Sequence, residues 1–425
     1  MIYFETGTEN TILSSADLEK AMYSALEKLG DRKKILIIPP DFTRFHSRAG
    51  ELTTYAYRFY GDKIKDILPA LGTHTAMTEQ QLSTMFKEVP KSLFRVHNWR
   101  KDVVTLGRIP SSFVHKVTEG RVSYDFPAQV NKMIVEGQYD LILSIGQVVP
   151  HEVIGMANYN KNLLVGTGGA ESINKSHFAG AAYGMERVMG RADNPVRALL
   201  NKAAEDFLSE LPVVYVHTVV ARDEESGQLV TRGLYVGDDY SVFTKAAELS
   251  LKVNFTMLER PLKKVVVYLD PSEFKSTWLG NKSIYRTRMA IADGGELIIL
   301  APGLKEFGED KEIDRLIRKY GYAGTPRTLE NLEKNEELKN NLSAAAHLIH
   351  GSSEGRFSIT YCPGFLSREE IESVHFNYAP LSEMIKKYDP ARLKDGFNLL
   401  PGGEEIFFIS NPAIGLWANK KRFSS

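Results

Sequence analysis

At 425 residues the chain is longer than one hydrophobic core usually supports, which predicts two domains. Lys plus Arg and Asp plus Glu both total 53, so formal charge is zero and no sustained basic field exists for a nucleic acid or an anionic membrane. A single cysteine, Cys362, rules out an intrachain disulfide framework and any cysteine-based metal cluster.

No stretch approaches the roughly 20 apolar residues of a membrane span. The first residues also lack the charged-then-apolar pattern of a signal peptide, so a cytoplasmic location is expected. Short β-branched runs alternate with amphipathic stretches, the pattern of an α/β fold. In chain order they predict a helix over 16–29 and strands over 35–38, 67–71 and 141–145. A helix over 194–208, a strand over 213–220 and a helix over 241–253 follow, the last opening on a capping region at Asp238-Asp239. Further strands are expected at 265–269, 297–301, 357–361 and 406–409. A break near 259–264 divides the chain into an N-terminal domain, 1–260, and a C-terminal domain, 261–425. Each is expected to be a sheet flanked by helices, with the site in the cleft between them. The last stretch, about 20 residues, is able to return to the first domain.

Open α/β sheets bind ligands beyond the carboxyl ends of their strands. The strand at 35–38 is followed by Asp41, Thr43 and Arg44, that at 67–71 by His74, and that at 141–145 by His151. Two histidines suit a reaction that moves protons on two faces of a substrate, and Arg44 offers a fork for a carboxylate or phosphate. Any one of these taken alone reads as a structural loop residue. Further on lie Lys161 and His177, with a glycine-rich turn at Gly166, Gly168 and Gly169 between them. That turn lets backbone N–H groups approach a phosphate, but it is neither a Walker A motif nor a dinucleotide fingerprint. His347 and His350 have helix-neighbour spacing without an evident carboxylate partner and read as packing or surface residues. His97 reads as structural, and Arg286 and Arg288 as a solvated helical face.

The joint pattern resembles the lactate racemase family. It comprises Asp41-Phe-Thr-Arg44, Leu71-Gly-Thr-His74, the strand end at His151, Lys161 ten residues on and His177 sixteen beyond that. Val236-Gly-Asp238 and Asp293-Gly-Gly295 extend it over most of the chain. The resemblance implies a racemase or epimerase of a 2-hydroxyacid, an isomerase working through a 2-keto acid intermediate. It also implies a nickel-pincer nucleotide, a pyridinium-3-thioamide-5-thiocarboxylic acid mononucleotide, linked covalently to Lys161. His177 would supply the protein's nickel ligand, in the square-planar geometry nickel(II) favours. His74 and His151 would be the acid–base pair. Asp41, Thr43, Gly168 and Gly169 would lie against the cofactor, and Arg44, Lys282 and Trp278 against the substrate. Other enzymes assemble this cofactor, so protein made in a host without them would be empty.

The chain departs from the family's pattern in three places. Asn158-Tyr159-Asn160 replaces Gly-Gly-Arg before the lysine, Leu279 replaces a glutamine, and Glu152-Val153 replaces an aromatic pair. These changes imply a substrate larger than lactate, such as a sugar acid or a substituted hydroxyacid. Two other readings stay open. One is a divalent-metal sugar-acid isomerase with His74, His151 and Asp41 as direct ligands; the other is a non-catalytic homologue that binds a hydroxyacid or nucleotide. Oligomeric state is not legible in the sequence.

Overall fold

Ile35–Ile38 is an apolar run buried on both faces, and Leu141–Gln147, apolar but for Ser144 and Gln147, is buried through Gly146, as parallel strands are when helices cover both sides of a sheet. The computed structural model, which describes residues 1–223 and 226–424, pairs them inside a six-stranded sheet. The order across it is Ile2–Gly7, Leu229–Gly237, Val213–Arg222, Leu141–Gln147, Ile35–Ile38, Ile64–Ile67. The last four strands are mutually parallel, and the first two join antiparallel. From Ile35–Ile38 the chain crosses to one side and then returns to the other, so the carboxyl ends of the central strands open at a topological switch point.

Helix Ser15–Leu29 begins at a capping box between Ser14 and Asp17 and buries Leu18, Met22, Ala25 and Leu26. That helical spacing lays one face on Ile35, Ile37, Leu141 and Leu143 in a shared core. Each such leucine contributes about 1.5–3 kcal/mol by leaving water. Asn194 caps helix Pro195–Phe207, and Asp239 caps helix Tyr240–Val253.

The strand expected at 67–71 is displaced: the regular strand is Ile64–Ile67. Beyond it Leu68 and Ala70 still donate to Ile37 and Pro39 at 2.8 Å each. Facing them, Pro39 and Pro40 have no N–H to return, so the ladder becomes one-sided.

The chain divides into two compact units, Met1–Ala179 with Arg187–Asn254, and Gly180–Glu186 with Phe255–Ser425. The second unit holds its own six-stranded sheet, ordered Asn377–Tyr378, Ser358–Pro363, Ile291–Ala301, Leu262–Tyr268, Glu405–Ile409, Gly396–Leu399. All its neighbours are parallel except the last pair. Near the C-terminus, Trp417–Asn419 pairs with Thr256–Leu258 of the same unit. Cys362 lies wholly buried in the sheet, and burial pushes its thiol up to about 12.

Arg286 and Arg288 do not form a solvated face. Both are buried; Arg288 Nε donates to Glu186 at 3.0 Å, and Arg286 Nη1 donates to the Gly415 carbonyl at 3.2 Å. No helix among the described residues is long and apolar enough to cross a membrane.

Candidate active site

Past Ile38 the chain turns through Pro39 and Pro40 into a short 3-10 segment, Phe42–Ser47, capped by Asp41. Asp41 Oδ1 accepts from the Thr43 amide at 3.1 Å and the Thr43 hydroxyl at 2.5 Å. Its other oxygen lies 2.6 Å from His74 Nδ1. Burial alone would raise the Asp41 carboxyl. The hydrogen bonds from His74 and Thr43 outweigh that and hold it below its ordinary value. A carboxylate only accepts, so in its neutral form the His74 ring carries its proton on Nδ1 and presents a lone pair at Nε2. Gly72, at φ 55°, makes the turn that carries His74, and its N–H bonds the Gly166 carbonyl at 2.7 Å.

His151 belongs to a small antiparallel pair, Pro150–His151 with Gly155–Met156, and is buried. Its Nδ1 accepts from the Val153 amide at 3.1 Å. Burial pushes its pKa well below the ordinary value; Glu152 opposes this, and Lys161, Arg44 and His177 reinforce it. Lys161 is half-buried and leads into a π-helical turn, Asn162–Gly166, a backbone irregularity common at functional sites. Burial and the neighbouring Arg44 charge bring its amine down to about 8, against the pull of Glu152 and Asp41. His177 lies on helix Ala170–Tyr183, and its Nδ1 donates to the Ile173 carbonyl one turn back at 2.7 Å. Burial lowers its pKa as well. Its Nε2 is left as a neutral ligand atom, the arrangement that fixes metal-binding imidazoles. Charge links Asp41 to His74 and to Lys161, and Lys161 to Arg44, His151 and His177, so these six residues form one neighbourhood in the first unit.

The remaining residues singled out in the sequence either serve packing within the first unit or belong to the second. A Cβ on Gly168 would lie 2.1 Å from the Leu164 carbonyl, and one on Gly169 would lie 2.5 Å from Gln129 Oε1. Internal packing thus accounts for both glycines, and His97 Nε2, 3.0 Å away, holds the Gly168 carbonyl. Trp278 and Lys282 stand on successive short helices of the second unit, Thr277–Gly280 and Lys282–Tyr285. There Trp278 packs on His347 with ring centroids 4.4 Å apart; His347 and His350 are both buried. Among the described residues no three His, Cys, Asp or Glu side chains form a metal-holding group.

Sequence reasoning missed what lies behind Lys161. Asn158 and Tyr159 adopt φ of 71° and 61°, the left-handed region that glycine enters freely. Their occurrence where the resembling family has Gly-Gly was the available signal. Asn158 Nδ2 donates to His217 Nδ1 at 2.9 Å. Arg197, 1% exposed, donates to Asn160 Oδ1 at 2.6 Å and the Met156 carbonyl at 2.7 Å, with its guanidinium over the Phe243 ring.

The fold and this neighbourhood define a two-unit α/β protein with a histidine, lysine and carboxylate site at the carboxyl ends of parallel strands. Residues 6–188 match the model of the lactate racemase N-terminal domain. Two solved structures share the fold. A Thermotoga maritima protein is 24% identical with a TM-score of 0.80, over 98% of this chain and 100% of its own. The lactate racemase apoprotein from Thermoanaerobacterium thermosaccharolyticum is 19% identical with a TM-score of 0.66, over 96% of this chain and 90% of its own. A comparison with curated protein sequences found no match.

Proposed function

We propose that the protein is an isomerase that inverts the hydroxyl-bearing carbon of a 2-hydroxyacid, with a nickel-pincer nucleotide held by Lys161 and His177. One observation carries this reading: an amine brought down to about 8 stands in the same neighbourhood as an imidazole whose Nδ1 is committed to a carbonyl. The first suits a covalent amide-type link, because the neutral amine is the nucleophile. The second suits a single protein ligand to a metal whose other donors come with the cofactor. Once bound, that group would supply sulfur-ligated nickel and a ring able to accept and return hydride.

The chain's own residues would manage binding and protons. His74 Nε2 takes the substrate hydroxyl proton, and Asp41, already bonded to Nδ1, stabilises the charge that develops on the ring. His151 serves as the second proton-transfer group, buried where bulk water cannot compete. Arg44 holds the substrate carboxylate. Because Leu279 and Glu152 replace the family's glutamine and aromatic, a substrate larger than lactate, such as a sugar acid, is favoured.

The test is intact mass and chiral assay of protein co-expressed with cofactor-assembling enzymes. A covalent adduct, absent from Lys161→Ala, and inversion of at least one member of a 2-hydroxyacid panel are expected. Folded protein with neither adduct nor inversion would overturn the reading.

A further inference from the structure

The two site histidines are not equivalent. His74 Nδ1 faces the Asp41 carboxylate at 2.6 Å, so its neutral ring carries the proton on Nδ1 and offers Nε2 as a base. His151 Nδ1 instead accepts from the Val153 N–H at 3.1 Å. Its neutral ring must carry the proton on Nε2, where it can only donate. A ring that cycles between base and acid at Nε2 bears a proton on Nδ1 in both states. Neither state is compatible with the Val153 N–H, which points a hydrogen at the same atom. Another partner for Nδ1 is at hand: Glu152 Oε2 lies 3.8 Å away, beyond a hydrogen bond but within the reach of a side-chain rotation.

The geometry points to Glu152 as the positioning residue of His151, taking over Nδ1 from the Val153 amide and so converting the ring from a donor to a proton-transfer group. This inference rests on the proposed use of His151 in proton transfer. The proton balance is simple. A proton from solvent enters at Nδ1 and is held by the Glu152 carboxylate; the imidazolium gives its Nε2 proton to the substrate oxygen. What remains is neutral His151 with Nδ1–H on Glu152 and a lone pair on Nε2, ready to accept. Asp41 already engages His74 Nδ1, whereas Glu152 would engage His151 Nδ1 only after rotating. The charged groups acting on His151 are Glu152, Lys161, Arg44 and His177, and Glu152 is the largest that favours the protonated ring. The resembling family carries an aromatic residue at this position, so the device would be particular to this chain.

The experiment is nitrogen-15 NMR of ring-labelled histidines in the full chain without cofactor, wild type against Glu152→Gln, with Glu152→Asp as the conservative control. Wild-type His151 should show the Nε2–H tautomer at neutral pH and gain its Nδ1 proton on acidification. In Glu152→Gln that midpoint should fall by about one pH unit, with Glu152→Asp between the two and the His74 signals unmoved. In cofactor-loaded enzyme Glu152→Gln should lower kcat about 10–100-fold with little change in KM. An unchanged His151 titration in Glu152→Gln overturns the proposal, as does an Nδ1–H resting tautomer in wild type. The NMR result is independent of turnover. A titration that shifts as expected in protein that loads cofactor yet inverts nothing leaves the Glu152–His151 link standing and removes the proposed function.

Discussion

Replacing Tyr159 by glycine tests whether the backbone before Lys161 is held by its side chains or merely tolerates them. The residue sits at φ 61°, which costs a non-glycine about 1–2 kcal/mol; glycine would relieve that strain. Glycine also loses about 0.5–1 kcal/mol through the freedom it adds to the unfolded chain. Against the small net gain stand four rings around Tyr159: Tyr215 at 4.3 Å, Phe243 at 5.4 Å, Tyr240 at 5.5 Å and His217 at 6.1 Å. Aromatic pairs contribute about 0.5–1.5 kcal/mol each beyond burial. Packing therefore wins, and Tyr159→Gly should destabilise the first unit by about 2–3 kcal/mol. Hydrogen exchange of peptides from strand Val213–Arg222, which carries Tyr215, reads this as a loss of protection of about 30–150-fold. A variant as protected as wild type, or more so, would mean that strain rather than packing governs the loop.

Three further outcomes are expected. Competitive acetylation of Lys161, followed by mass spectrometry, should show a midpoint near pH 8 in the native chain and near 10.5 in denaturant. Because the unfolded amine binds a proton more tightly, this group makes stability rise with pH from about 8 to 10.5 and adds no slope below. His177→Ala should retain the Lys161 adduct but lose nickel on metal analysis of desalted, loaded protein; unchanged nickel would remove His177 as ligand. Arg197→Ala leaves the Met156 carbonyl and Asn160 Oδ1 without their buried donor and should cost about 3–5 kcal/mol. A lowered urea midpoint at constant slope would register it, and a loss below about 1 kcal/mol would show that water takes the guanidinium's place.

Strands buried on both faces were easiest to read, because Ile35–Ile38 is an unbroken apolar run and Leu141–Ile145 is interrupted only by Ser144. Edge strands were not. Ile64–Ile67 carries Lys65 and Asp66, so the more apolar 67–71 looked like the better strand. Ile2–Gly7 is only half-buried along its length and gives no clean alternation. As candidates, Asp41 and His151 were legible because each follows a recognisable strand, and His74 because it follows the apolar run 67–71, of which only Ile67 lies in the regular strand. The ring partners that decide their chemistry were not: Val153 N–H, Ile173 C=O and the Asp41 carboxylate depend on side-chain rotation, which spacing does not encode. Arg197 was hidden for a related reason. A lone arginine in an amphipathic helix reads as surface, and only the left-handed backbone at Asn158 and Tyr159 hints at what it supports.

The solitary thiol at Cys362 offers a practical handle. Sealed in the second unit's sheet and held protonated far above neutrality, it is inert to thiol reagents until that sheet opens. Its rate of modification therefore reports opening of residues 358–363 alone, so disturbances engineered around Lys161 can be scored for whether they reach the other unit.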